Sequence, residues 1–161
     1  ETSDEIERRP VEILLLAEEA IAQVAPQAAS RDINLFLEAT TPLPLVQAHG
    51  DRLRQVFLNL LDNAIKYGRP GDRVVVSLES EPGGIRCAVS DSGPGIPASH
   101  LPHLTRRFYR AAVQEVEGNG LGLAIAAEIL RLHQSHLEIE SHAEGPETGT
   151  CVRFSIAGAN A

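Results

Sequence analysis

Two alternating stretches, RVVVSLES at residues 73–80 and GIRCAVSD at 84–91, flank the turn Glu81-Pro82-Gly83-Gly84. Apolar residues recur at every second position on both sides of a Pro-Gly-Gly turn, which predicts a β-hairpin. A hairpin forces antiparallel pairing, so this chain cannot fold into an all-parallel sheet, whose neighbours need long crossovers. Further short strands are predicted over Val11–Ile13, 33–39 (INLFLEA) and 45–48 (LVQA). Two closing strands, 137–141 (LEIES) and 150–157 (TCVRFSIA), are joined by a Gly-Pro turn. Helical spacing runs from Leu14 to about Ala29, where Pro26 is expected to bend or shorten the helix. It returns in LGLAIAAEILRLH, 121–133. The order predicts an α+β, two-layer sandwich: one mixed sheet covered on one face by helices.

Between the early strands and the hairpin lies a helix opening at Gly50 and Asp51, with Asp51 as its expected N-cap. At about 100° per residue, Leu53, Val56, Phe57, Leu60 and Ala64 share a core-facing stripe, with Leu61 at its margin. Gln55, Asn59, Asn63 and Lys66, the chain's single lysine, share a flank beside that stripe. Amide oxygens are hard ligands suited to Mg²⁺, and a lysine is a point charge suited to phosphate. The same flank also reads as the wet side of a surface helix.

Two glycine-rich segments follow. Asp91-Ser92-Gly93-Pro94-Gly95 comes directly after a strand. Its glycines permit tight backbone and close approach, and its aspartate can accept a hydrogen bond from an exocyclic amine. A plain turn with an N-capping Asp is the other reading. Gly118-Asn119-Gly120-Leu121-Gly122-Leu123 opens the later helix, whose free N–H groups and positive dipole end suit phosphate. It is neither a dinucleotide fingerprint, since no strand immediately precedes it, nor a P-loop, since no Lys or Ser/Thr follows the last glycine. Residues 98–119 read as a mobile segment with one or two helical turns.

Composition narrows the function classes. At 161 residues the chain suits one domain with a real core, and a formal charge of −8 argues against broad nucleic-acid binding. An aromatic content of 4% argues against stacking on single strands. Cys87 and Cys151 fall in strand-like apolar stretches and are expected to be buried free thiols in a reducing compartment. No transmembrane span or signal peptide is expected, with an acidic N-terminus and no run of 18 apolar residues. His100/His103 and His133/His136 each sit three apart without the Cys or carboxylate partners of a structural zinc site.

In this order and spacing, the amide helix, the DSGPG turn and the GNGLGL helix start resemble the catalytic ATP-binding domain of sensor histidine kinases. That family has the Bergerat (GHKL) nucleotide fold, shared with gyrase, and the resemblance covers roughly residues 9–158. NLLDNAIKY looks like the family's N box. It implies Asn59 and Asn63 at the Mg²⁺ and phosphate site, with Lys66 and Tyr67 facing the nucleotide. Asn59, Asn63 and Lys66 are the catalytic candidates. DSGPG looks like the first glycine box, implying Asp91 as acceptor for the adenine amine and Gly93, Gly95 and Ile96 as pocket residues. Arg107-Phe108-Tyr109-Arg110 looks like the F box, implying that Phe108 anchors a lid and that Arg107 or Arg110 reaches phosphate. GNGLGL looks like the second glycine box, with Gly118, Gly120, Leu121, Gly122 and Leu123 around the triphosphate. Gly149-Thr150 looks like the last box, with its hydroxyl near the adenine end. Thr105, Arg106 and the turn His133-Gln134-Ser135-His136 depart from the family's usual Phe, acidic residue and His-Gly-Gly.

In the ATPases of this fold, a glutamate serving as general base occupies the position of Asn59. An amide cannot abstract a proton, so the resemblance implies phosphoryl transfer to a protein histidine rather than ATP hydrolysis. Its cofactors are ATP and Mg²⁺. Its implied partners are an upstream histidine-containing dimerisation domain and a cognate response regulator, with no nucleic acid and no direct membrane contact. No acceptor-histidine motif occurs in the chain. Residues 1–9 are expected to end an upstream helix or linker, 10–158 to form the domain and 159–161 a tail. The isolated domain is expected to be a monomer, inactive alone, on the cytoplasmic side of a membrane-anchored parent. Alternatives are a nucleotide-binding regulatory module or an anti-sigma-type serine kinase of the same fold.

Overall fold

The computed structural model describes residues 6–96 and 122–159. In chain order these form β1 (Arg9–Val11), α1 (Ile13–Ser30), β2 (Asn34–Ala39), β3 (Val46–Ala48) and α2 (Gly50–Lys66). There follow β4 (Arg73–Glu81), β5 (Gly84–Asp91), α3 (Gly122–Leu132), β6 (Glu138–His142) and β7 (Gly149–Ala157). The main sheet has the order β2-β4-β5-β7-β6. Only its β2–β4 pair is parallel, and the expected hairpin is the β4–β5 pair, with Glu81 opposite Gly84. β1 and β3 form a small antiparallel sheet, which a Val46–Gly158 bridge joins to the end of β7. The mixed sheet under helices is the two-layer architecture expected.

Alternation decides which face is covered. Val74, Val76 and Leu78 of β4 are buried, as are Cys87 and Val89 of β5 and Val152, Phe154 and Ile156 of β7. They meet α2's stripe of Leu53, Val56, Phe57, Leu60, Leu61 and Ala64, to which the structure adds Ile65. Phe57 and Phe154 pack with ring centroids 5.6 Å apart. α1 and α3 flank α2 and complete the layer.

Several local expectations are corrected. The first strand is Arg9–Val11, not Val11–Ile13; Ile13 opens α1 and is buried at its base. Pro26 neither ends nor shortens α1, which continues to Ser30. Pro26 and Ala22 both face solvent, so the carbonyl that loses its helical partner is free to bond water. The N-cap of α2 is His49, whose Nδ1 accepts the Arg52 N–H at 3.3 Å; Asp51 lies inside the first turn and pairs with Arg54. At the other end, Arg31, just past the end of α1, caps α2 by donating to the carbonyls of Ile65 and Lys66, both at 3.0 Å. Both cysteines are free, Cys87 buried and Cys151 half-buried. Cys87 shares the inward side of the sheet with Val89, whereas Cys151 lies opposite Ser90 on the other side. Burial pushes the Cys87 thiol well up, so it stays protonated. The segment expected to be mobile, 98–119, lies outside the described residues.

His133, buried at the end of α3, closes the α2–α3 pair. Its Nδ1–H donates to Ile129 O at 2.9 Å and its Nε2 accepts the His49 N–H at 3.1 Å. Burial, with Arg8, His49 and Arg52 nearby, holds its pKa below the ordinary imidazole value, against the pull of Ile129 O. Over that interval the unfolded chain binds a proton that the folded chain refuses. Stability from this group is therefore whole above the ordinary value and is lost as pH falls towards the folded value. Urea melts should show the wild type losing stability between about pH 7.5 and about 5.5, and His133→Gln should lose less over the same interval.

Candidate functional site

Three pieces of chain meet along α2. Midway on its flank, Asn59 Nδ2 donates to Gly122 O at 3.3 Å, tying α2 to the first residue of α3. The Asn59 oxygen accepts from Gln55 Nε2 at 2.6 Å, so both ends of this amide are engaged. One turn on, Asn63 is half-buried, and its side chain has no hydrogen-bond partner among the described residues. Among the described residues it offers the flank a free amide oxygen, which fits the coordination chemistry of Mg²⁺. Lys66 Nζ pairs with Asp62 at 3.1 Å, and Asp62 also accepts from Gln27. Pairs this exposed contribute little, so the ammonium can leave for a phosphate at small cost.

Beyond α2, the backbone of Tyr67, its C-cap, touches the turn after β5; a Cβ on Gly93 would lie 3.7 Å from Tyr67 O. The Asp91 carboxylate accepts the Gly93 N–H at 2.9 Å and a backbone N–H of Thr150. Burial pushes its pKa up and the Asp72 charge adds to that, while the two N–H groups and Arg69 oppose it. Half-buried and fed only by donors, it retains lone pairs for a further donor such as an exocyclic amine. Gly95 has φ +81° and lies against the His142 carbonyl, where no side chain fits. The Ile96 N–H donates to Ser141 Oγ at 2.8 Å, and that hydroxyl is 2.7 Å from Thr150 Oγ1. Thr150 thus faces β6 through its hydroxyl and Asp91 through its backbone.

At the start of α3, Gly122 has, among the described residues, Asn59 O as its nearest neighbour, at 4.0 Å from a would-be Cβ. The first-turn N–H groups have no partner within the helix, which suits an anion. Leu123 is buried in the core, so its backbone is what a ligand can reach. Asn59 thus meets the start of α3 at Gly122, Tyr67 meets the turn at Gly93, and Asp91, Gly93, Gly95, Ile96 and Thr150 are joined to one another through β6 and β7, with Asn63 and Lys66 following Asn59 along the α2 flank. Arg107, Arg110, Gly118, Gly120 and Leu121 lie outside the described residues, as do Phe108 and the His100/His103 pair. Of the other histidine pair, His133 turns inward, while His136 is exposed beside Glu138 at 3.4 Å.

Four polar residues around the turn have no counterpart in the motif reading: Arg69, Asp72, Ser141 and Thr148. Asp72 is buried and accepts the Arg69 N–H at 2.6 Å and the Ser92 hydroxyl at 3.3 Å. Thr148 Oγ1 donates to Gly93 O at 2.6 Å. The one local signal for any of them is Asp72 following Gly71 at a strand start, a common turn pattern.

Residues 48–159 match the family described as histidine kinase-, DNA gyrase B-, and HSP90-like ATPase. The chain is 31% identical over 154 residues to the adaptive-response sensory kinase SasA of Thermosynechococcus vestitus, spanning 94% of this chain and 40% of that protein. It is 37% identical over 150 residues to the sensor histidine kinase YkoH of Bacillus subtilis, spanning 91% of this chain and 32% of that protein. It therefore spans well under half the length of these curated relatives. Among solved structures, full-length ShkA in complex with AMPPNP superposes with a TM-score of 0.82 at 26% identity, over 96% of this chain and 32% of that one.

Proposed function

The chain belongs to the family of histidine kinase-, DNA gyrase B- and HSP90-like ATPases, as an ATP-binding domain of the sensor-kinase kind, and from that premise we propose that it phosphorylates a histidine. The acceptor would be an imidazole on an upstream helical dimerisation domain, and the phosphoryl group would pass on to a response regulator. In the transfer, the bond from the γ-phosphorus to the β–γ bridging oxygen breaks, a bond from phosphorus to an imidazole nitrogen forms, and ADP leaves. Mg²⁺ bound to the phosphates supplies charge neutralisation. The chain's own residues bind and orient. Asp91 accepts the adenine amine, Asn63 offers a free amide oxygen towards the metal, Lys66 meets phosphate, and the start of α3 offers N–H groups.

The observation that carries this reading is the Gln55–Asn59–Gly122 chain of hydrogen bonds. Where a hydrolase of this fold needs a carboxylate to activate water, this site has an amide locked by a second amide, and neither takes a proton. A groove between α2 and α3 starts beside Gln55 and is lined by Arg52, Ile125, Glu128 and Leu132. Ile125 is 40% exposed there, which supports a protein acceptor approaching next to the site. No helix among the described residues is long and apolar enough to cross a membrane. The reading places the domain in the cytoplasm, tethered through its parent chain.

Calorimetric titration with a non-hydrolysable ATP analogue, with and without Mg²⁺, tests the site. Mg²⁺ should strengthen binding by about tenfold in the wild-type chain, and Asn63→Ala should abolish that gain while leaving metal-free binding near wild type. Mg²⁺-independent binding would remove the metal role. Steady ATP hydrolysis by the chain alone would overturn histidine transfer in favour of the ATPase branch.

A further inference from the structure

We propose that Arg69 is a positioning residue for nucleotide recognition: with Asp72 and Thr148 it closes a ring of hydrogen bonds around the Asp91 turn and holds that carboxylate in its receiving geometry. The inference rests on the reading of Asp91 as the acceptor for the adenine amine.

The ring joins three stretches distant in sequence. The Arg69 backbone N–H donates to Asp72 Oδ2 at 2.6 Å, and its Nε lies 3.5 Å from the same oxygen. The other Asp72 oxygen accepts from Ser92 Oγ at 3.3 Å, and that hydroxyl accepts the Arg73 N–H at 2.8 Å. Arg69 Nη2 then reaches over the turn, donating to Ser92 O at 2.9 Å and to Thr148 Oγ1 at 3.3 Å. Thr148 returns to the turn by donating to Gly93 O at 2.6 Å. The two carbonyls that follow Asp91 are thus both held by side chains from outside the turn.

Such a clamp has a use here. Gly93 lacks the Cβ that would restrict it, so the stretch between Asp91 and Pro94 has little stiffness of its own. A carboxylate that must meet one ligand donor while bonding two backbone N–H groups gains from a turn already ordered before the ligand arrives. Arg69 and Asp72 also provide the charges that face the Asp91 carboxylate, one of each sign, alongside the Gly93 and Thr150 N–H groups. The clamp therefore holds the acceptor in place and, beside the larger effect of burial, adjusts the pH at which it is charged.

A purely structural role would lower stability alone, so the test reads the pH profile of binding. Affinity for a non-hydrolysable ATP analogue is measured from about pH 5 to about 8 for wild type, Arg69→Gln, Arg69→Lys, Asp72→Asn, Thr148→Ala, Thr148→Ser and Asp91→Asn. The ligand's own titration is common to all and cancels. Arg69→Gln should bind about fivefold more weakly at neutral pH, with its acid limb moved to higher pH. Asp72→Asn should move that limb to lower pH. Arg69→Lys keeps the charge but loses the fork, so affinity falls while the limb stays in place. Thr148→Ala should weaken binding and Thr148→Ser should restore it. Arg69 is largely exposed, so its variants are expected to fold, with thermal melts as the check. Wild-type affinity and an unmoved limb in Arg69→Gln and Thr148→Ala, beside lost binding in Asp91→Asn, would overturn the clamp and leave the Asp91 reading standing. Wild-type binding by Asp91→Asn would overturn both.

Discussion

Asp91→Asn is expected to weaken binding of a non-hydrolysable ATP analogue by about 100-fold, close to 3 kcal/mol. The substitution keeps the shape of the side chain and changes what it offers. In the folded chain the carboxylate accepts N–H groups from Gly93 and Thr150, and an adenine amine would be a third donor. Asparagine has one accepting oxygen, so however it turns, its NH₂ faces a donor. A site built around a hydrogen bond loses more from such a mismatch than a packed apolar contact loses from a missing methylene.

The same carboxylate sets a pH dependence of known sign. Burial, helped by Asp72, holds its pKa above the ordinary carboxylate range. Between the ordinary and the raised value the folded chain keeps a proton that the unfolded chain has released. The group's contribution to stability is present below the ordinary value and is lost as pH rises through the folded one. Ligand binding, which needs the charged form, strengthens over that interval. Calorimetry from about pH 4.5 to about 7.5 should show this acid limb in the wild type and none in Asp91→Asn. Undiminished affinity in the variant would remove Asp91 from the site.

Gly95→Ala is expected to lower stability by about 3 kcal/mol or more, a fall in Tm of about 10 °C, and to abolish nucleotide binding with it. Two costs add. An L-residue at φ +81° costs about 1–2 kcal/mol. The new Cβ would also run into the His142 carbonyl and come within 2.8 Å of Ala143 Cα, both backbone atoms that cannot rotate away. Relief requires the turn to leave β6, which breaks the bond from the Ile96 N–H to Ser141 Oγ and carries the Asp91 turn with it. Gly71→Ala is the control. Its φ is +91°, with no described residue within 4 Å of the added Cβ, so the variant bears the strain alone, about 1–2 kcal/mol. Similar Tm losses for the two variants would mean that the approach to His142 does not matter.

Much of this site was readable because its signals are local. Asn59 and Asn63 stand four apart on one helix, and that spacing alone puts them on one flank. Asp91 ends a strand just before two glycines, and Gly122 opens a helix. The alternation of β4 and β5 named their buried faces, and the stripe of α2 named its core side, missing only Ile65. What failed was also local but competed for: Asp51 and His49 are both able caps, and His49 takes the place because His133, 84 residues away, holds its backbone N–H. Pro26 signalled a break, but α1 is retained because its buried face, with Val24 and Ala28 on either side of the proline, packs on α2.

By itself, then, the sequence determined most element types, the hairpin, the faces that α2, β4 and β5 bury, and the identity of the motifs at the element tips. These follow from periodicity and backbone propensity, which act over a few residues. The tertiary structure alone decided that Asn59 is locked between Gln55 and Gly122 while Asn63 is left free among the described residues. It alone decided that Arg69, Asp72 and Thr148 enclose the Asp91 turn. Those contacts join residues 20 to 79 apart, and no local pattern encodes which polar side chains meet once hydrophobic burial has set the sheet order and brought the turn, the end of α2 and the β6–β7 connection together.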